Sequence, residues 1–141
     1  MGLALSVQGL SAQEAVHRLI EGNHRYVTGQ LQHPHRTQER REATLNQQHP
    51  FAVIVGCSDS RVAPEIVFDQ GIGDIFNARV AGNIVNEDIL GSLEFACKLA
   101  GSKVIVIMGH TSCGAVKGCM TLSKSFMKSS ETTSGVLYGM T

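Results

Sequence analysis

Three short runs rich in apolar residues constrain the fold of this chain more than any other feature. They are FAVIV at 51–55, DIFNARV at 74–80 and KVIVIMGH at 103–110. The first and third are continuous and rich in β-branched residues, the pattern of strands buried on both faces of a sheet. We therefore predict a β-strand at each of the three runs.

Helical patterns alternate with these strands. Ser11 and Glu14 match a capping box at the start of the first pattern. Asn86 is a candidate N-cap for a strongly amphipathic pattern that ends at Gly101. The predicted helices cover residues 11–30, 37–47 and 86–100, and a further helix starts within GAVKGCM. Because strands alternating with helices indicate βαβ units, we predict an α/β fold with a mostly parallel sheet and flanking helices.

The chain length allows one domain followed by a tail. The sequence has 141 residues, enough for one domain with its own core. We assign residues 1–119 to this domain. Residues 120–141 contain nine Ser or Thr and little apolar periodicity, so we expect a poorly ordered tail. Three strands make a thin sheet, and we expect the sheet to be incomplete, as in a C-terminally truncated chain.

Charge and hydropathy exclude several classes of partner. Twelve basic residues balance twelve acidic ones, which gives no basis for binding nucleic acid or an anionic membrane. Apolar runs stay shorter than the roughly 18 to 20 residues that span a bilayer. The N-terminal stretch has no basic region of the secretory type. We expect a cytoplasmic protein, with an organelle left open.

Three potential metal ligands follow two of the predicted strands. Cys57 comes after the first strand, and His110 and Cys113 come at the end of the third. Functional groups in parallel sheets collect where strands end at their carboxyl edge, so these residues can meet at one point. Two thiolates and an imidazole are ligands that zinc prefers, and three protein ligands leave a fourth position open. The alternative is two buried thiols beside a hydrogen-bonded histidine.

Asp59 and Arg61 lie two residues apart in the loop after the first strand. One interpretation is a surface ion pair of little energetic consequence. The other is that Arg61 keeps Asp59 charged and oriented beside the metal. Asp59 would then orient a metal-bound hydroxide or occupy the fourth position itself.

The remaining motifs favour structural interpretations. The spacing of Gly109 and Gly114 suggests a phosphate loop, but the Lys and Ser/Thr of that motif are missing. Cys97 lies within an amphipathic helix and is expected in the core. RTQERRE at 36–42 is expected to be a solvated helix face. Five histidines in polar stretches are expected to face solvent: His17, His24, His33, His35 and His49.

CSDSRV at 57–62 and GHTSCGAVKG at 109–118 together resemble the motifs of the β-class carbonic anhydrases. The resemblance covers about residues 11–119. It implies one zinc ion per chain, held by Cys57, His110 and Cys113. It also implies that Asp59 and Arg61 act as the family's catalytic dyad.

The resemblance extends to the substrate pocket and to assembly. It implies that Gln48, Phe76 and Gly114 line the pocket, and that the chain forms a homodimer or a larger homo-oligomer whose pockets borrow residues across the interface. Ile54 stands where members with an inhibitory bicarbonate site carry Trp, which argues against that regulation. No proton-shuttle residue is identified.

Three functional hypotheses follow. The first is reversible hydration of carbon dioxide to bicarbonate by a zinc-bound hydroxide. The second is a truncated homologue that binds zinc without catalysis, and the third is a thiol-based redox or metal-sensing domain. The intact Asp59–Arg61 pair favours the enzyme, because neither alternative needs it.

Overall fold

The computed structural model describes residues 10–126. Within this part of the chain there is no helix that is both long and apolar enough to cross a membrane. A 3₁₀ turn and a π-helical segment accompany the regular elements, at Ala81–Asn83 and Phe95–Leu99. The strands are β1 Ala52–Gly56, β2 Ile75–Arg79 and β3 Val104–Met108, and the helices are α1 Ala12–Val27, α2 Gln38–Ala43, α3 Pro64–Val67, α4 Glu87–Glu94 and α5 Gly114–Phe126.

The sheet is parallel, with β1 in the centre and the order β2-β1-β3. Gly56 at the end of β1 pairs with Arg79 of β2 and Met108 of β3. The carboxyl ends of all three strands therefore lie level with one another. The predicted α/β fold with a parallel sheet and flanking helices is confirmed.

Each face of the sheet carries its own apolar cluster. On one face, Ala52 and Ile54 pack with Ala15 and Leu19 of α1. On the other face, Val53 and Val55 pack with three residues of β2, α4 and the π-helical segment: Ala78, Leu93 and Ala96. All five residues of β1 are buried, as the continuous apolar run predicts.

Strand β3 differs from the prediction, because it is half-buried on one face and exposed on the other. Ile105 is 46% exposed and Ile107 is 64% exposed. Their neighbours in register are Val53 and Val55, which lie on the face covered by α4 and the π-helical segment. These two elements contact β2 and β1 respectively. Helix α4 and the π-helical segment thus do not extend over β3, which leaves this face of β3 exposed.

Local signals set most of the helix boundaries. The backbone N–H of Glu14 donates to Ser11 Oγ at 3.2 Å, and the Ser11 N–H donates to the Glu14 carboxylate at 2.8 Å, so the capping box is confirmed. Asn86 caps α4 by accepting the Ile89 N–H at 3.0 Å. The predicted single helix over 86–100 changes to a π-helical segment at Phe95, where the bond from Ala100 N–H to Phe95 O spans five residues.

Two further differences concern the ends of predicted elements. Helix α2 is shorter than the predicted 37–47, and the Thr44 hydroxyl after it donates to Arg40 O at 3.0 Å. Helix α5 runs to Phe126, so the predicted boundary at 119 lies within it. The rest of the predicted tail, 127–141, lies outside the described residues.

A cluster of charged and polar side chains surrounds one buried carboxylate at the amino edge of the sheet, just before β2. We call it the Asp74 cluster, and it consists of Asp74, Arg18, His35 and Arg40. The Asp74 side chain is 1% exposed and meets His35 Nδ1 at 2.8 Å, Arg40 at 3.4 Å and Arg18 at 3.5 Å. It also accepts the Gly71 N–H at 2.8 Å. His35 is exposed, as predicted, although its Nδ1 reaches this buried carboxylate. The solvated role predicted for the helix 36–42 is wrong at Arg40, which is 28% exposed and contacts the same carboxylate.

Candidate metal centre

Three potential ligand side chains converge at the carboxyl edge of the sheet. Cys57 follows β1 directly, His110 lies two residues after β3, and Cys113 immediately precedes α5. Their ligand atoms all lie within 4.8 Å of one another. The two sulfurs are 3.7 Å apart. Parallel strands with level ends bring these residues together across more than fifty positions of sequence, as the strand order predicts.

The hydrogen bonds of His110 leave one ring nitrogen available to a metal. Its Nδ1 lies 3.0 Å from the carbonyl oxygen of Thr111, which assigns the proton to Nδ1. Nε2 is buried and has no hydrogen-bond partner within the described residues. Because a buried polar atom is normally paired, this lone pair facing two sulfurs fits a metal ion. The alternative of a fully hydrogen-bonded histidine does not match this geometry.

Cys57 has the properties of a thiolate ligand. Its side chain is 4% exposed, and the Gly82 N–H donates to its sulfur at 3.3 Å. Burial alone raises the pKa of a thiol, but the hydrogen bonds to its sulfur, above all the one from the Gly82 N–H, outweigh burial and lower the pKa of Cys57 to about 6. The thiolate is the form that binds metals, so this residue is prepared for an ion at neutral pH.

Arg61 grips the carboxylate of Asp59 with both ends of its guanidinium group. Arg61 Nε donates to Oδ1 at 2.9 Å and Nη2 donates to Oδ2 at 2.7 Å. The Arg61 backbone N–H adds a bond of 3.0 Å to Oδ1. The side-chain bonds of Arg61, followed by its backbone bond, hold the pKa of Asp59 well below its usual range. The Asp59 carboxyl group is therefore ionised near neutral pH.

The Asp59 carboxylate also faces the ligand cluster. Its Oδ2 lies 3.9 Å from His110 Nε2. Arg61 is mostly exposed and donates a further bond of 3.4 Å to Ser112 O, in the loop between two of the ligands. Arg61 is thus exposed, as in a surface ion pair, while Asp59 is only 15% exposed and is held in one direction. The interpretation that Asp59 is oriented beside a metal stays a prediction.

A cavity of about 190 Å³ opens beside the cluster. Gly114, predicted to approach the substrate, begins α5 directly after Cys113. The residues that line the cavity are Asn83, Gly109, His110, Ser112, Cys113, Val116 and Lys117.

Two predicted pocket residues lie elsewhere in the single chain. Gln48 lines a separate surface cavity with Thr44 and Ile72. Phe76 packs edge-to-face against Phe95, with ring centroids 5.9 Å apart. The role of Gln48 and Phe76 in a substrate pocket stays a prediction, one that requires a second chain to supply them.

Two residues that hold the Cys57 loop in place were not predicted as site residues from the sequence. Arg79 donates to the carbonyl oxygens of Cys57 and Asp59, at 2.8 and 2.5 Å. Gly82 donates its N–H to the Cys57 sulfur from a backbone with φ of 75°. The glycine after a strand is a weak signal of such a turn. The target of a long arginine side chain has no local signal at all.

Comparisons with known proteins agree with this arrangement. Residues 52–138, more than half of the chain, match the family model described as carbonic anhydrase. The structure of the β-carbonic anhydrase CcaA superposes with a TM-score of 0.58 at 32% identity, covering 80% of this chain and 56% of that one. The chain belongs to the β-class carbonic anhydrase family. The family match continues to residue 138, beyond the domain boundary predicted at 119.

Two further carbonic anhydrases and another solved structure are similar to part of this chain. The carbonic anhydrase of Mycolicibacterium smegmatis is 48% identical over 103 residues, which cover 73% of this chain and 50% of that protein. Carbonic anhydrase 2 of Mycobacterium tuberculosis is 48% identical over 102 residues, covering 72% and 49%. A Coccomyxa β-carbonic anhydrase, solved with acetazolamide, gives a TM-score of 0.53 at 33% identity, covering 56% and 37%. The chain thus spans about half the length of these two bacterial carbonic anhydrases.

Proposed function

We propose that this chain binds one zinc ion through Cys57, His110 and Cys113, and that with this ion it catalyses the reversible hydration of carbon dioxide to bicarbonate. One observation carries the proposal. Two sulfurs and an imidazole nitrogen that has no hydrogen-bond partner among residues 10–126 lie within 4.8 Å of one another, beside a carboxylate bound by Arg61. Family membership supports the same reaction.

The donor set supports zinc in particular. Thiolate and imidazole ligands suit zinc, whereas magnesium and calcium prefer oxygen. Three protein ligands leave a fourth position for reaction chemistry. When bound by these three residues, zinc would supply Lewis-acid chemistry: it would lower the pKa of a water molecule toward about 7 and so make a hydroxide available to carbon dioxide.

Asp59 supplies orientation rather than proton transfer. Its carboxylate stays ionised because Arg61 holds its pKa low, so it accepts a hydrogen bond but does not exchange a proton near neutral pH. With Oδ2 at 3.9 Å from His110 Nε2, it can direct the nucleophile toward the cavity. From the same position the carboxylate would also be able to bind the ion itself and so exclude water from it. The proton released in each cycle must leave by another group or by solvent.

The pocket is proposed to be completed by a second copy of the chain. Gln48 and Phe76 lie away from the cavity within one chain, so a homodimer or larger homo-oligomer would have to supply them. In this scheme the zinc ligands and the Asp59–Arg61 pair come from one chain. The partner would contribute to substrate binding only.

Stopped-flow measurement of carbon dioxide hydration tests the proposal. The zinc-loaded chain should accelerate hydration, and Cys57→Ser should abolish both the acceleration and stoichiometric zinc binding. Cys119→Ser is the matched control, because Cys119 is exposed and outside the cluster. A chain that binds one zinc ion but shows no activity from neutral to moderately alkaline pH would be the inactive zinc-binding homologue. A chain that binds no zinc would leave the thiol-based hypothesis.

A further inference from the structure

The last residue of strand β2 donates hydrogen bonds to the loop that carries Cys57 and Asp59. We call residues 57–61 the ligand loop. Arg79, the last residue of β2, donates from Nε to Cys57 O at 2.8 Å and from Nη2 to Asp59 O at 2.5 Å. Two main-chain bonds of 3.2 Å run beside it, from Ser58 N–H to Val80 O and from Val80 N–H to Gly56 O.

We infer that Arg79 is a positioning residue of the metal centre, which holds the ligand loop so that the Cys57 sulfur and the Asp59 carboxylate both face His110. The inference rests on the proposed zinc site. Arg79 acts through backbone carbonyls, so it is not itself a ligand or a catalytic residue.

The shape of the guanidinium group explains why an arginine stands here. The two carbonyls belong to residues two positions apart, and both accept from one planar side chain. A guanidinium group presents several N–H donors in a rigid plane, whereas an ammonium group is a point charge on a flexible stem. A lysine at this position would reach one carbonyl at a time and would not fix the spacing between them.

Two arginines hold Asp59 at its two ends. Arg61 binds the carboxylate and Arg79 binds the backbone carbonyl of the same residue. With both in place, the carboxylate and the backbone of Asp59 each have their own arginine contact. Without Arg79 the carbonyl group of Asp59 loses its strongest contact, and only main-chain bonds such as that from Val62 N–H at 3.3 Å still hold it. The carboxylate of Asp59 would then be held less firmly in the direction of His110.

The test compares Arg79→Lys with Arg40→Lys. Arg40 is a matched control, because its Nε also donates to a carbonyl, that of Ile72 at 2.8 Å, at the opposite edge of the sheet. Zinc affinity is measured by competition with a chelator, and Co²⁺ substitution reports the coordination geometry by its absorption spectrum. Arg79→Lys should bind zinc about 10 to 100 times more weakly, the usual effect of losing an outer-shell partner. Its Co²⁺ spectrum should shift, whereas that of Arg40→Lys should match the wild type.

The outcomes separate this inference from the proposed function. A wild-type chain that binds zinc but does not hydrate carbon dioxide ends the proposed function and leaves the Arg79 test intact. Equal zinc affinity and equal Co²⁺ spectra in Arg79→Lys and wild type overturn the inference, whatever the activity. If Arg79→Lys does not fold, Arg79→Gln carries the same test. Failure of both to fold, with Arg40→Lys folded, also overturns it, because Arg79 then acts on the fold and not on the site.

Discussion

Two clusters of charged and polar side chains lie at opposite edges of the same parallel sheet, and they differ in how completely their atoms are paired. At the amino edge, the buried Asp74 carboxylate meets two arginines, a histidine and a backbone N–H. At the carboxyl edge, His110 Nε2 is buried without a hydrogen-bond partner within residues 10–126, beside two sulfurs 3.7 Å apart. A cluster whose buried polar atoms all have partners needs no ligand to be stable. A cluster with a buried polar atom that has no partner indicates where a ligand would bind.

The two clusters should also differ in how much they contribute to the stability of the fold. Removing one member of a buried ion pair leaves an uncompensated charge, which is strongly destabilising. The Asp59–Arg61 pair contributes little to stability, since solvent reaches the Arg61 guanidinium group, which is 64% exposed, and screens the interaction. We therefore expect the amino edge to hold the fold together and the carboxyl edge to bind and react.

The largest effect on stability is expected from Asp74→Asn. This change leaves Arg18 and Arg40 beside a neutral amide, and it should lower the free energy of unfolding by about 3 kcal/mol. Breaking a buried ion pair usually costs about 3 to 5 kcal/mol. We expect the low end of this range, because the two arginine side chains are 33% and 28% exposed. Urea denaturation measures the change, with Asp88→Asn on the exposed side of α4 as control. A loss of zinc affinity as large as that of Arg79→Lys would show that the two edges are not independent.

Zinc should stabilise the chain only through the carboxyl edge. At a free zinc concentration about a hundred times the dissociation constant, binding to the folded state adds about 2.7 kcal/mol. Cys113→Ser should abolish this gain, and Cys119→Ser should retain it. Thermal denaturation with zinc and with a chelator gives the comparison. Equal stabilisation of Cys113→Ser would mean that the ion binds elsewhere.

The smallest effect on stability is expected from Arg61→Gln. Arg61 holds the pKa of Asp59 low, so the pair contributes above the ordinary carboxyl pKa of about 3.9, and the contribution is lost as the pH falls below it. Stability curves of variant and wild type should therefore differ slightly above about pH 4 and converge in stronger acid. Carbon dioxide hydration at neutral pH should fall about a hundredfold, because the carboxylate loses its orientation. A large loss of stability with unchanged hydration would reverse the roles assigned to the two edges.

Sequence patterns identify those features that depend on neighbours along the chain or on strand order. The capping box at Ser11 and the buried β1 follow from local pattern, and the meeting of Cys57 with His110 follows from parallel strands. The bonds of Arg79 and Arg40 do not, because each depends on which carbonyl or carboxylate the folded chain places within reach.

The exposure of β3 was missed for a related reason. Its apolar run is as continuous as that of β1, but burial depends on how far the covering elements extend. A single strand does not carry that information. The pairing state of His110 Nε2 likewise depends on the bond that Nδ1 makes to Thr111.

The unequal burial of β1 and β3 has a consequence for how long an ion would stay bound. Cys57 extends from the central strand, whose five residues are all buried and whose amides should be among the slowest to exchange with solvent. His110 and Cys113 both follow β3, which pairs with one strand within residues 10–126 and carries two exposed isoleucines. A brief local unfolding at the end of β3 would move His110 and Cys113, two of the three ligands, away from Cys57 at the same time. The residence time of the ion would then be governed by the fluctuations of one outer strand, far more frequent than unfolding of the whole domain.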